Sequence, residues 1–131
     1  MGPNDVQIVR VFPRQAPGAP IADDSIRTGA AWQIVVEVEA GATIFGTGAQ
    51  YRVGGVLRNL TKNTVTPLAA VGPNNWPAAP WNNQKAAIVF APANIPAANA
   101  NDLYEVLAFV RVNAVPPFDM SFARSEMFIA E

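Results

Sequence analysis

Histidine and cysteine are both absent from this chain of 131 residues. Histidine is the side chain whose ordinary pKa lies near neutral pH, and it is the commonest metal ligand. The cysteine thiolate is a strong nucleophile and a ligand of zinc and iron–sulfur sites. Their absence excludes Ser-His-Asp and Cys-His catalysis, zinc fingers and histidine-ligated haem. It also excludes disulfide bonds, so the hydrophobic core alone must stabilise the fold.

Charged residues are scarce as well. They make up 15% of the chain, whereas hydrophobic residues make up 50%; about 25% charged is usual for globular proteins. Such a composition indicates either a neutral, polar surface or a surface that a partner or further copies of the chain cover. The nine basic residues are scattered among ten acidic ones. We therefore expect no nucleic-acid partner and no membrane partner, because each needs a basic cluster.

Long hydrophobic runs are also missing. No stretch approaches the roughly 18 consecutive apolar residues of a transmembrane helix. Residues 1–5, Met-Gly-Pro-Asn-Asp, contain neither the basic nor the apolar region of a signal peptide. Small secreted domains often carry disulfides, so the lack of cysteine slightly favours a cytoplasmic location.

Proline, in contrast, is abundant: twelve prolines in 131 residues are nearly twice the usual share of about 5%. They separate runs rich in Val, Ile, Phe and Tyr, residues that suit the half-buried surface of a sheet. The mass of 13.9 kDa is that of one domain. We predict a single β-sandwich domain over residues 1–131.

The apolar runs predict six or seven strands and no helix. The strands are expected at 6–12, 31–40, 49–61, 65–71, 85–91 and 103–113, with a last one from 120 to 129 that is interrupted around 124–126. Gly54 and Gly55 lie inside the third run. Since glycine weakens a regular strand, this pair predicts a bulge or a sharp bend.

Two runs indicate which faces are buried. The run at 31–40 alternates strictly, which predicts one face in the core and one in water. Its core face holds Trp32, Ile34, Val36 and Val38, and its solvent face holds Gln33, Val35, Glu37 and Glu39. The run at 103–113 is apolar on both faces, because Leu107 and Phe109 lie opposite Tyr104, Val106, Ala108, Val110 and Val112. This pattern predicts a central strand, or one whose second face meets another sheet or another subunit.

These elements predict an all-β protein, a single-domain antiparallel β-sandwich of immunoglobulin-like architecture, with a jelly roll or small barrel as the alternative. The segment Asn-Asp-Leu-Tyr-Glu-Val at 101–106 resembles the tyrosine-corner strand of immunoglobulin-like and fibronectin-like domains. The Cys…Trp…Cys spacing of true immunoglobulin domains is missing, so the resemblance concerns architecture and implies no function.

One segment has an unusual composition. Residues 74–83 read Asn-Asn-Trp-Pro-Ala-Ala-Pro-Trp-Asn-Asn, so Trp76 and Trp81 are held between prolines and flanked by four amides. Three interpretations are open. The rings plug one end of the sandwich, or they contact a protein as tryptophan-rich hot spots do, or they bind a neutral, hydroxyl-rich ligand. The residues of this candidate site are Trp76, Trp81, Asn74, Asn75, Asn82 and Asn83.

Catalytic and metal chemistry have little support. Asp23 and Asp24 indicate a solvated turn or cap, because the chain has no calcium-loop motif. Glu37 and Glu39 are spaced as carboxylates of a glycosidase can be, but two acids on one face of a strand usually form its wet side. We predict no enzyme, no cofactor and no metal.

The sequence therefore predicts a non-enzymatic structural or protein-interaction module. Low charge and the run at 103–113 favour self-association into a homo-oligomer, or binding to another protein. The alternative is a lectin-like module that binds a neutral glycan or another small ligand through the Trp/Asn-rich segment.

Overall fold

The computed structural model describes residues 6–15, 23–41, 50–75, 85–113 and 118–131. They form nine strands and one short 3-10 helix, which follows proline 96. In chain order the elements are β1 (Val6–Arg14), β2 (Ser25–Ile26), β3 (Gln33–Ala40), β4 (Gln50–Asn59), β5 (Thr64–Asn75), β6 (Lys85–Phe90), the 3-10 helix (Ala97–Asn99), β7 (Leu103–Asn113), β8 (Phe118–Arg124) and β9 (Phe128–Ala130).

Two open sheets contain these strands. The small sheet has the order β1-β3-β6, and the large sheet has the order β2-β9-β7-β4-β5, with β8 also paired to β7. All pairs are antiparallel except β2 with β9. The predicted all-β sandwich is confirmed, and the described strands form no closed barrel. The strand order is immunoglobulin-like, except that β5 lies beside β4 and not beside β6 as in constant-type domains.

The two sheets enclose the hydrophobic core between them. Ile34 and Val36 of β3 pack in one cluster with Val106 and Val110 of β7, and all four are fully buried. Trp32 is also buried there, where its indole Nε1 donates a hydrogen bond of 3.0 Å to the carbonyl oxygen of Ala93. This confirms the predicted inner faces of both runs.

The side of β3 that was predicted to face solvent departs from the prediction at one residue. Val35 was expected in water with Glu37 but is only 2% exposed. It lies between Phe12 of β1 and Val89 of β6 in the small sheet. Phe12 is itself buried, with the guanidinium of Arg10 over its ring at 4.1 Å. Cross-strand apolar contacts therefore exclude water from a position that the alternation alone placed outside.

The predicted irregularity in the third run is confirmed. The pairing of β4 with β5 shifts register between Tyr51 and Val53 and again between Val53 and Gly55. A Cβ atom on Gly55 would overlap the carbonyl oxygen of Leu107 in β7. Glycine is required here because the backbones of β4 and β7 approach each other too closely for a side chain.

The end of the chain forms two strands. β8 ends at Arg124, as the predicted interruption implies, and β9 resumes the pairing with β7 at Phe128. Between them lies Ser125, whose side chain takes the place of a backbone acceptor. The amide of Val106 donates a hydrogen bond of 2.9 Å to its Oγ. The two-residue strand β2 was not predicted; its backbone pairs in parallel with Ile129 and Ala130.

Candidate functional site

The Trp/Asn-rich candidate site lies almost wholly outside the described residues. Trp76, Trp81, Asn82 and Asn83 fall there. Asn74 and Asn75 are the last residues of β5, and their backbones pair with Tyr51 and Gln50 of β4. Binding of a neutral glycan or a protein by this segment stays a prediction.

The large sheet has a second face that points away from the core. In β7 the residues between the core positions lie on this face, Leu107 and Phe109 among them, and both are only half-buried. The small sheet packs against the opposite side of β7, around Val106 and Val110. The structure thus confirms that β7 has two apolar faces, and the small sheet covers one of them.

Cross-strand pairing extends this second face over three strands, which we call the outer face. Phe109 of β7 pairs with Phe122 of β8 on one side and with Gly54 of β4 on the other. Phe122 is 74% exposed. A Cβ on Gly54 would lie 2.9 Å from the Phe109 ring, which shows that the ring lies over Gly54 of β4. The outer face comprises Arg52, Gly54, Val56 and Arg58 of β4, Glu105, Leu107, Phe109 and Arg111 of β7, and Met120, Phe122 and Arg124 of β8.

Arginines border the apolar centre of the outer face. Arg52 and Arg111 are direct cross-strand neighbours, and Arg124 pairs with Leu107 on the far side of the phenylalanines. Arg58 forms an ion pair of 3.1 Å with the buried Glu105. Apolar centre and polar rim together are the usual anatomy of a protein-binding surface.

A buried polar network lies at the end of the sandwich where β7 begins. The Asn59 amide donates to the Asp102 carboxylate at 2.8 Å and to the Tyr104 hydroxyl at 3.2 Å. Lys62 Nζ donates to the same carboxylate at 2.7 Å, and the Asn99 amide donates to the Tyr104 hydroxyl at 3.0 Å. Tyr104 therefore lies at the start of β7, where the resemblance to a tyrosine-corner strand places it. Its hydroxyl accepts hydrogen bonds from two side-chain amides. These contacts fasten the β4–β5 turn and the 3-10 helix to β7.

The network changes the acidity of Asp102. The hydrogen bond from Lys62 is the main cause that lowers the pKa of Asp102, and the hydrogen bond from Asn59 adds to it. Burial acts in the opposite direction but is outweighed. Asp102 is thus a structural carboxylate held in its charged form.

Acid is expected to remove this stabilisation. Because the folded-state pKa of Asp102 is lowered, its contribution is fully present above the ordinary aspartate pKa of about 3.9 and is lost as the pH falls through the lowered value. Denaturant unfolding of wild type and Asp102→Asn, from about pH 7 to about pH 2.5, measures the difference between their free energies of unfolding. We expect that difference to be largest near neutral pH and to shrink in acid. A difference that does not change with pH would contradict this role.

The described residues hold no group of three or more acidic side chains that could bind a metal ion. Asp23 accepts a hydrogen bond of 2.6 Å from the backbone amide of Gln15, as a turn residue does. Glu37 forms an ion pair of 2.7 Å with Arg10. These carboxylates therefore act in local structure.

Comparison with protein-family models gave no match, and comparison with curated proteins gave none either. In the described part of the chain, no helix has the length and apolar character needed to cross a membrane. The outer face combines an exposed apolar centre with a charged border.

The sequence pointed to half of this surface. It marked the second face of β7, but it gave no reason to single out Phe122. That residue lies in a short run that mixes apolar and polar residues. Its role depends on pairing with Phe109 in the neighbouring strand β7. The available signal was the alternation of Met120, Phe122 and Arg124 with small residues.

Proposed function

We propose that this protein is a non-enzymatic interaction module that self-associates through the outer face. The observation that carries the proposal is the exposure of Phe122, which is 74% accessible at the β8 end of a row that continues through Phe109 to Gly54. Single exposed apolar residues are common, but contiguous exposed apolar patches mark interaction surfaces.

The energetics support binding centred on Phe122. Complete burial of a phenylalanine side chain contributes roughly 1.5–3 kcal/mol, and most of this ring is in water in one isolated copy. Its half-buried neighbours Phe109, directly across on β7, and Leu107, diagonal to it, would be covered together with it. A large side chain that becomes buried beside weaker, water-excluding contacts is the common form of an interface hot spot.

A second copy of the chain is the partner that the composition favours. With 15% charged residues and a net charge of −1, copies of this protein repel one another little. Every copy also carries the same exposed apolar surface, at the same concentration. Self-association therefore needs no further partner to remove that surface from water.

Sedimentation velocity of wild type and Phe122→Ser over a range of concentrations tests this proposal. We expect wild type to associate and Phe122→Ser to bind itself at least about tenfold more weakly, because tenfold corresponds to about 1.4 kcal/mol, less than the burial energy of the ring. Val89→Ser is the matched control, since Val89 is 41% exposed on the small sheet. The control should associate as wild type does. Monomeric wild type at all concentrations, or equal loss in both variants, would refute the proposal.

A further inference from the structure

The charges of the outer face disfavour its packing against an identical outer face. Among the described residues, Arg52, Arg111 and Arg124 form no ion pair. Arg52 lies directly opposite Arg111, an arrangement of like charges that destabilises a sheet. A two-fold dimer through this face would bring two such cationic surfaces together, because an isologous interface uses the same patch twice. The binding surface on the second copy should therefore be a different, acidic one.

A cleft of about 360 Å³ between β1 and the junction of β8 and β9 has that complementary character. We call it the edge cleft. Val9 and Met127 line it and are 53% and 61% exposed, while Phe12 and Phe128 in its lining are buried. Its acidic residues are Asp23, Asp24 and Glu126.

Two basic residues, Arg10 and Arg124, also line the edge cleft beside its three acidic residues. Arg10 forms an ion pair of 2.7 Å with Glu37, outside the cleft, and its guanidinium lies over the Phe12 ring. Arg124 belongs to the outer face as well, at the border where the two surfaces meet. Asp24 and Glu126 are exposed, and in the described part of the chain neither has an ion-pair partner.

We propose that copies of this chain assemble head to tail, with Phe122 of one copy seated in the edge cleft of the next. The proposal rests on the proposed self-association and names its geometry. The exposed aromatic ring meets the apolar walls formed by Val9 and Met127. The unpaired arginines around Phe122 then meet the acidic residues of the cleft, a complementarity that steers and orients association.

Such contacts are heterologous, so each bound pair keeps one free outer face and one free edge cleft. The assembly then extends, as a ring if the rotation between copies closes and as an open chain if it does not. A two-fold dimer through the outer face would stop at two copies. Salt separates the two geometries further, because it weakens attraction between opposite charges and relieves repulsion between like ones.

A complementation experiment tests this geometry. The variant Phe122→Asp removes the outer face, and the double variant Asp24→Arg with Glu126→Arg reverses the edge cleft. Each should self-associate about thirtyfold or more weakly than wild type, the loss expected of hot-spot contacts. An equimolar mixture should form a one-to-one dimer and no larger species, since it retains one intact face and one intact cleft. Native mass spectrometry with one variant labelled with ¹⁵N identifies that dimer. The control is the single variant Val89→Asp, which places the same charge on the small sheet. It should associate as wild type does.

Four results would count against the proposal in distinguishable ways. If the cleft variant associates by itself as strongly as wild type, the interface does not use the edge cleft. If the mixture stays monomeric while wild type associates and circular dichroism shows both variants folded, the two surfaces are not partners. If wild type never associates, the proposed function itself is refuted. Association of wild type should also weaken as sodium chloride is raised, and strengthening would favour contact between two outer faces.

Discussion

Replacing Gly55 by alanine is expected to destabilise the protein severely. The new Cβ would overlap the carbonyl oxygen of Leu107 and lie 3.0 Å from the Cα of Ala108. Both atoms belong to the backbone of β7, the strand to which β4 is hydrogen-bonded, so neither can rotate aside. Overpacking costs roughly 1–3 kcal/mol and occasionally more, and we expect the upper end, about 3 kcal/mol. For a domain of this size that lowers the Tm by roughly 10–15 °C.

Gly54→Ala is the matched control in the same strand. Its Cβ would meet the Phe109 ring at 2.9 Å and the Ala70 Cβ at 3.2 Å. A ring at the end of a side chain can turn away, so we expect a loss of only about 1 kcal/mol. Thermal unfolding of both variants measures the contrast. Equal losses, or a Gly55→Ala variant as stable as wild type, would show that β4 and β7 do not approach as closely as described.

Asn59→Ala is expected to cause the second large loss of stability. Asn59 is 4% exposed, donates to both Asp102 and Tyr104, and accepts a hydrogen bond of 2.9 Å from the backbone amide of Lys62. Removing it deprives a buried carboxylate and a buried hydroxyl of a donor at the same time. Each poorly satisfied buried group costs about 1–3 kcal/mol, and we expect about 2–4 kcal/mol in total from denaturant unfolding.

Asn94→Ala provides the control for this second prediction. Asn94 is exposed and donates one long hydrogen bond of 3.4 Å to the carbonyl oxygen of Gly29. Its removal should change the free energy of unfolding by no more than about 0.5 kcal/mol. If Asn59→Ala proved equally mild, the polar network would not be what fastens the β4–β5 turn to β7.

Much of the fold could be predicted from local pattern. The alternation in β3 identified Trp32, Ile34, Val36 and Val38 as core residues, and the Gly54–Gly55 pair located the irregularity in β4. Both signals are local, since side-chain period and glycine depend only on neighbouring residues. Strand β2 could not be predicted in this way, because two residues have no period and they pair with β9 near the other end of the sequence.

The candidate site was less accessible to sequence reasoning. The apolar second face of β7 was visible at Leu107 and Phe109, whereas the Trp/Asn-rich segment drew attention by its composition. The role of Phe122 depends on which strands are neighbours and in what register. The burial of Val35 has the same origin, in contacts with Phe12 and Val89 from other strands. Long-range pairing decides these properties, and a single sequence does not encode it in any local window.

Labelling the outer face tests directly whether copies of the chain meet through it. The chain has no cysteine, so Met120→Cys and Val89→Cys each accept one environment-sensitive fluorophore, the first on the outer face and the second on the small sheet. Emission is then recorded as unlabelled wild-type protein is added. We expect a blue shift with added protein at Met120→Cys and none at Val89→Cys. An unchanged emission at position 120, or a shift at position 89 alone, would contradict it.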